Sequence, residues 1–509
     1  MSERRHLAAV LAALCAWGLA FVWLNRQIID GATYWFLFDD ALISMSYARR
    51  LVDGFGLNWA GYGDPVEGFT NPLWVAAMVA IEILPVDRLL KPLVVQLASL
   101  FLLLANVVAV RTIMVRHFAF ATGWWLPATI ATAAYLPLNL WGMMGMETSL
   151  QALLTSLAVL LACDALAAPR LALGRLCLVL AAALLLRMDN AVLGVAIMPF
   201  LWLRFRVTRE NAATWLGGLA LALGPFAAYE IFRLAYFGDA WPNTYWLKMT
   251  GIDPAARMQR GWLVAVEAFE ATSWLWLPVL AASVAVGIRR RVFLLAAAVA
   301  AARVAYVIYV GGDAYEDVLE HGPNRFFAPA MPIAFVLAGG LVNLVAPRRA
   351  ALQAAAAAAL VVFAPYLPGP EFVHRLALLL QLERSPHQLL HERTLAEMLG
   401  LRALTGDDRR TRVATMWAGM PGVYTNWQLV DVYGYNDRVI ARGPDNWGIT
   451  VENARGWMPG HNKSDLAWTI RTHRPDWFLH MFPMSPSLEA LLTANGYRLA
   501  ANGMWTRAP

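Results

Sequence analysis

Two adjacent carboxylates, Asp39 and Asp40, stand in the stretch FLFDDALISMSYARRL, a short way after an apolar run able to cross a membrane. A carboxylate placed there can meet the headgroup region of a bilayer and take a proton from a hydroxyl as general base, and of the two Asp39 is favoured for that role. The same pair can instead cap and charge the start of an amphipathic helix over 40–53. In that helix Ile43, Tyr47 and Leu51 recur at i, i+4 and i+8, which would lay it along the membrane with Arg49, Arg50 and Asp53 in water.

Further along, Arg187 and Asp189 in LLLRMDNAVLG fall at a turn between two apolar runs. Arg303 in AAARVAYVIYVGG falls roughly two turns below the end of another. Ionisable groups at such depth are costly, so they pair with one another across helices or serve a ligand, and a guanidinium suits a phosphate. Glu147 in GMETSL most simply caps a helix start. In GDAWPNTYWLKM, Asn243 and Tyr245 suit hydrogen bonds to sugar hydroxyls and Lys248 suits a phosphate, with membrane anchoring by aromatics and lysine as the plainer alternative. His321 and Arg325 in EHGPNRFF lie just outside an apolar run.

The elements that must position these groups are set by composition. Of 509 residues 59% are hydrophobic and 15% charged, and the mean hydropathy is +0.50, far from a water-soluble globular chain. The formal charge of +6 does not indicate nucleic acid, because the arginines come in twos and threes between apolar runs and not on one face. Spans are expected at 7–24, 93–112, 122–138, 149–163, 176–188, 190–203, 212–234, 273–288, 292–309, 328–345 and 350–366, about eleven helices. The shorter stretch 72–84 contains Glu82 and is expected to lie at the membrane surface.

With that assignment Arg4 and Arg5, Arg111 and Arg116, Arg170 and Arg175, Arg204, Arg206 and Arg209, Arg289 to Arg291, and Arg348 and Arg349 share one side. The positive-inside rule then makes the N-terminus cytoplasmic and the C-terminal region extracytoplasmic. The expected organisation is a transmembrane domain over 1–367 with a first external loop at 25–92, followed by an extracytoplasmic α/β domain over 368–509. Strand-like runs TRVATMW, DWFLH and YRLAANGMW and a helical run LLHERTLAEMLGLRALTG in the tail carry the α/β reading. The three cysteines, Cys15, Cys163 and Cys177, have no metal or disulfide spacing and are assigned to packing. No GxGxxG after a strand, GxxxxGK[ST], HExxH, CxxC or GxSxG occurs, so a cytosolic nucleotide-sugar site is not indicated.

The stretch FDDALISMSYARRLVDGFGLNWAGYGDPVEGFTNPLW resembles the first external loop of polyprenyl-phosphate-dependent glycosyltransferases of the GT-C fold, in particular the mycobacterial terminal arabinofuranosyltransferase family and its Gram-negative relatives. GMETSLQALL, LLRMDNAVLG, FGDAWPNTYWLK, VGGDAYEDVLEHGPNRFFAPAMP, LVDVYGYNDRVIAR and PGHNKSDLAWTI are similar to later stretches of that family, in order along the chain. Ser46 stands where an Arg is common before Tyr47, and RMDN replaces R-x-D-G.

The resemblance implies a multi-pass α-helical GT-C enzyme of a bacterial inner membrane that moves a sugar, arabinofuranose favoured, from a polyprenyl-phosphate donor to a glycan, lipid or protein acceptor. Asp39 and Asp40 match the activating acids. Arg187, Lys248, Arg303, His321 and Arg325 become donor-phosphate candidates. Tyr47, Glu67, Glu147, Asp189, Asn243, Tyr245 and Asp313 become sugar or acceptor candidates, with Glu67, Glu147 and Asp313 as alternative bases. A divalent metal bridging Asp39 and Asp40 stays open at this point. A transporter or flippase of a lipid-linked sugar is the rival reading; it calls for paired broken helices and charges at the bilayer midplane, and neither pattern is visible.

Overall fold

The structure, a computed structural model, describes residues 3–118, 124–167, 169–271, 274–315, 325–345, 386–479 and 486–508. The chain divides into two compact units, each assembled from three separate stretches. The first takes 1–25, 94–229 and 258–383; the second takes 26–93, 230–257 and 384–509. The expected span at 350–366 and the expected boundary near 367 lie outside the described residues.

The first unit is helical because long apolar runs in lipid must satisfy their backbone within the segment. Helices Glu3–Leu24, Thr148–Ala167, Ala212–Phe237 and Arg291–Val310, together with the run Arg88–Phe118, are long and apolar enough to cross a membrane. Shorter apolar helices include Trp276–Gly287 and Met331–Val345. The sequence expects one span over 122–138, but two helices stand there, Leu126–Ala134 and Leu136–Met143, broken at Tyr135. Pro137, near the start of the second, has no N–H to give the Ala133 carbonyl four residues back. The Asn139 side-chain amide donates to that carbonyl instead, at 2.8 Å.

In the second unit a hairpin pairs β1 (Gln27–Ile29) with β2 (Ala32–Tyr34) through Asp30 and Gly31, both at positive φ as a tight two-residue turn requires. The tail forms the expected sheet-containing domain. Its strands β3 (Arg412–Thr415), β4 (Gln428–Asp431), β5 (Trp477–Phe478), β6 (Tyr497–Leu499) and β7 (Trp505–Arg507) lie in the order β4-β3-β5-β7-β6. β3 runs parallel to both neighbours, and β7 is antiparallel to β5 and β6. Ala414, Val430, Phe478, Leu492, Tyr497 and Trp505 form its core. Pro72–Ile83, the stretch expected at the membrane surface, is a helix whose Glu82 is buried against Lys91 at 3.4 Å.

Candidate functional site

In the second unit, the acids of the first loop open the helix Asp39–Val52, but they do not cap it. Its N-cap is Phe38, with no side-chain cap hydrogen bond. The Asp39 carboxylate accepts instead from backbone amides of the tail: Gly419 N–H at 3.2 and 3.1 Å and Met420 N–H at 2.9 Å. Those amides open the short helix Met420–Tyr424. At its other end the Arg49 guanidinium donates to the carbonyls of Gly422 at 3.0 Å, Val423 at 2.8 Å and Thr425 at 2.6 Å, and to the Asn426 side chain at 2.6 Å. One helix therefore offers an anion to the positive end and a cation to the negative end of another.

The expectation that Arg49 and Arg50 face water is overturned: each is 2% exposed. Arg50 donates to the Trp427 carbonyl at 2.6 Å, and the Trp59 indole N–H donates to Ala418 O at 2.6 Å. Ser46, in the place of the common arginine, donates from its hydroxyl to the carbonyls of Leu42 and Gly419, both at 2.8 Å. The approach is close enough that a Cβ on Gly422 would clash with Ser46 Oγ. Physically, the local 3.6-residue pattern could not reveal a partner surface supplied by residues 418–427.

Tyr47 is fully buried, with its hydroxyl 2.5 Å from Val66 O and 2.7 Å from Asn436 Oδ1 while it accepts the Gly68 N–H at 2.8 Å. Glu67 is buried against Arg233 at 2.6 Å. Asn243 donates from its side-chain amide to Gly434 O at 2.8 Å and Tyr435 O at 2.9 Å, pinning the loop after β4. Tyr245 stacks on half-exposed Trp241 at 4.7 Å, and Lys248 Nζ sits 5.3 Å from the Tyr435 ring centre.

Asp431, at the end of β4, accepts from the amides of Tyr433 at 2.8 Å, Gly434 at 3.1 Å and Asn436 at 2.8 Å. Burial still pushes its carboxyl up to about 6, and burial pushes Asp39 up to about 7 against the pull of its two amides. Asp40, by contrast, is only half-buried.

A metal bridging the Asp pair does not fit this geometry, since both Asp39 oxygens are directed at amides. Among the described residues no group of three or more His, Cys, Asp or Glu could hold a metal ion.

In the first unit, the charged residues expected at depth converge. Arg187 donates from Nη1 to Glu147 Oε1 at 2.6 Å and from Nε to Asp189 Oδ1 at 2.9 Å. Arg303 donates to Asp189 Oδ2 at 3.1 Å and to Asn190 Oδ1 at 2.6 Å, and the Gln151 amide donates to the same Asn190 oxygen at 2.7 Å. Asp313 pairs with Arg325 at 2.7 Å and offers its backbone carbonyl to Arg260 at 2.7 Å. The ring of Phe326 lies between the two sets, 5.2 Å from the Arg187 guanidinium carbon and 5.7 Å from that of Arg325. Three guanidinium groups thus meet three carboxylates in apolar surroundings, and a fourth, Arg260, meets a backbone carbonyl.

Next to them an apolar cavity is walled by Arg303 with Ala300, Val304, Trp276, Phe327 and Met331. The pairing of Arg187 with Asp189 is legible from their spacing, whereas Glu147 as a second partner and Arg260 as a fourth cation are not. Buried arginine inside the amphipathic pattern of Pro254–Ala271 is the signal that would have found the latter. His321 lies outside the described residues.

No protein-family profile matches the chain, and neither does any curated protein. Among solved structures, ArnT from Cupriavidus metallidurans bound to undecaprenyl phosphate is similar over 100% of both chains, with a TM-score of 0.55 at 12% identity. The same protein in the apo state matches over 100% of both chains with a TM-score of 0.53 at 14% identity. Identity this low speaks for the path of the backbone and not for the role of any side chain, and on that path the chain has the GT-C fold seen in ArnT.

Proposed function

We propose that the protein transfers a sugar from a polyprenyl-phosphate donor to a hydroxyl of a glycan, lipid or protein acceptor. The reaction takes place at the outer face of a bacterial inner membrane, with the N-terminus cytoplasmic and the tail periplasmic. The observation that carries the reading is the arginine cluster of the first unit beside an apolar cavity, a combination suited to a phosphate joined to a hydrocarbon chain. ArnT bound to undecaprenyl phosphate supports that ligand class. The resemblance of the first loop to terminal arabinofuranosyltransferases favours arabinofuranose as the sugar.

In the reaction the acceptor oxygen forms a bond to the anomeric carbon as the bond from that carbon to the phosphate oxygen breaks. The phosphate leaves with the electron pair, and Arg187, Arg303 and Arg325 stabilise its charge. A carboxylate takes the acceptor proton. Of the two first-loop acids Asp40 is the candidate for that role, because it is less buried than Asp39, whose two oxygens accept from backbone amides. Asp39 is then a positioning residue, and Tyr47, Glu67 and Asn243 hold the framework of the loop. Tyr245, stacked on Trp241, is the sugar-facing candidate that remains accessible.

The test is incubation of purified protein with a panel of synthetic polyprenyl-phosphate sugars and acceptor glycans, read by mass spectrometry. Release of polyprenyl phosphate together with a glycosylated acceptor is the expected result. Movement of the intact lipid-linked sugar across a bilayer with no release would replace transferase by transporter.

A further inference from the structure

Three helices of the first unit carry a member of the charged cluster at one end and open onto a second feature at the other. Thr148–Ala167 follows Glu147 and ends at Ala167; Ala191–Arg204 follows Asn190 and ends at Arg204; Arg291–Val310 holds Arg303 near its far end and begins at Arg291. The helix Arg291–Val310, of 20 residues, puts its two ends about 30 Å apart. At the end away from the cluster these helices enclose an open pocket of about 640 Å³, lined by His117, Cys163, Ala167, Arg204, Arg290 and Arg291.

The charge of this pocket is one-sided. Asp164 is bound outside its lining by Arg116 at 2.9 Å and by His117 at 2.8 Å. Among the described residues no carboxylate lines the pocket itself. Arg204 and Arg291 make no ion pair among the described residues; Arg204 rests on the Phe205 ring at 4.9 Å. Arg290 and Arg291 also open the helix Arg291–Val310, where the positive end of the helix dipole repels a cation and attracts an anion. An arginine fork matches phosphate oxygens, and basic recesses between membrane helices are suited to lipid headgroups.

We propose that this pocket is a second anion site, which binds a phosphate group as the headgroup of an anionic phospholipid or as free phosphate, at the end of the first unit opposite the Arg187 and Arg303 cluster. Bilayer position favours the lipid, since the pocket is walled by the ends of apolar helices whose penultimate residues, Leu203 and Leu166, line it.

Native mass spectrometry of the full chain, released from detergent with phosphatidylglycerol or phosphatidylcholine, reads the site directly. Wild type is expected to retain phosphatidylglycerol and not phosphatidylcholine. The Arg204→Gln/Arg290→Gln/Arg291→Gln variant is expected to lose that retention at least about tenfold, the scale of one charge-assisted contact. Because removing arginines can also disturb membrane insertion, Ala167→Trp is the second variant; it fills the pocket, leaves every charge in place and should lose retention equally. Displacement of phosphatidylglycerol by millimolar inorganic phosphate assigns recognition to the phosphate group alone, and resistance to displacement assigns it to the lipid; both keep the site. Retention in Ala167→Trp equal to wild type, or no preference of wild type for phosphatidylglycerol, overturns the proposal.

Discussion

Two charged clusters, one in each unit, satisfy their buried charges in opposite ways. In the first, Arg187, Arg303 and Arg325 are met by carboxylates and by an asparagine, side chain against side chain. In the second, Asp39, Arg49 and Arg50 are met chiefly by backbone N–H and C=O groups at both ends of a short helix and beyond it. Side-chain pairs leave lone pairs and N–H groups that a ligand can share or exchange. Backbone contacts fix one segment to another and leave the chemistry to a neighbour. The first arrangement is suited to a charged ligand that comes and goes, and the second to holding Asp40 at a set place.

The largest effect expected from breaking this contrast is Arg187→Ala, which takes the guanidinium from Glu147 and leaves Asp189 to Arg303 alone in apolar surroundings. Losing one partner of a buried pair costs about 3–5 kcal/mol. The variant should therefore melt far below wild type, while Arg187→Lys should recover much of the stability and still bind donor more weakly. A melting curve and a donor-binding isotherm on both variants check this; an Arg187→Ala variant that melts like wild type would show that the cluster carries no structural load.

Arg49→Ala should cost less, about 2–3 kcal/mol, since the stranded groups are mostly neutral carbonyls and the one charge, Asp53, keeps Arg88 as a partner at 3.2 Å. Its signature is local. Hydrogen exchange at residues 419–427 should accelerate while exchange in the first unit stays unchanged, and acceleration in both would mean that the contact is not confined to the second unit.

A smaller effect is expected from pH. The folded carboxyls of Asp39 and Asp431 are raised to about 7 and about 6 from 3.8, so the folded chain holds these protons more tightly than the unfolded one. That contribution is complete below about pH 4 and is lost as pH rises through about 6 to 7. Between pH 5 and pH 8 the melting temperature should fall by about 2–4 °C on this account, and Asp39→Asn, which cannot ionise, should flatten part of the slope. A wild-type slope of opposite sign would mean that the amides and the helix end outweigh burial.

The same contrast explains what was legible in the sequence. Arg187, Asp189 and Arg303 stand out because a charge in an apolar run is conspicuous wherever the chain goes next. The burial of Arg49 and Arg50 was invisible: their partners are main-chain atoms of Gly422, Val423, Thr425 and Trp427, more than 370 residues away, which no side-chain pattern encodes. Hydropathy located the long helices because lipid imposes a length on them. It joined 122–138 into one run because Tyr135, Leu136 and Pro137 are apolar, and the break there is set by a missing N–H and not by polarity. In the tail the runs TRVATMW and DWFLH contain β3 and β5, the single run YRLAANGMW divides into β6 and the start of β7, and no run marks β4.

The central claim is a division of labour within the Asp pair, and turnover of the Asp40→Asn and Asp39→Asn variants on a polyprenyl-phosphate sugar, measured beside their melting curves, tests it most directly. Asn keeps the shape of Asp but takes no proton, and loss of a general base costs about 10²–10⁴-fold in rate. Asp40→Asn should melt like wild type and transfer sugar at least about a hundredfold more slowly. Asp39→Asn should retain turnover well above that of Asp40→Asn while shifting stability. Near-normal turnover in Asp40→Asn, with the loss falling on Asp39→Asn instead, would contradict the account and return the base to the buried carboxylate.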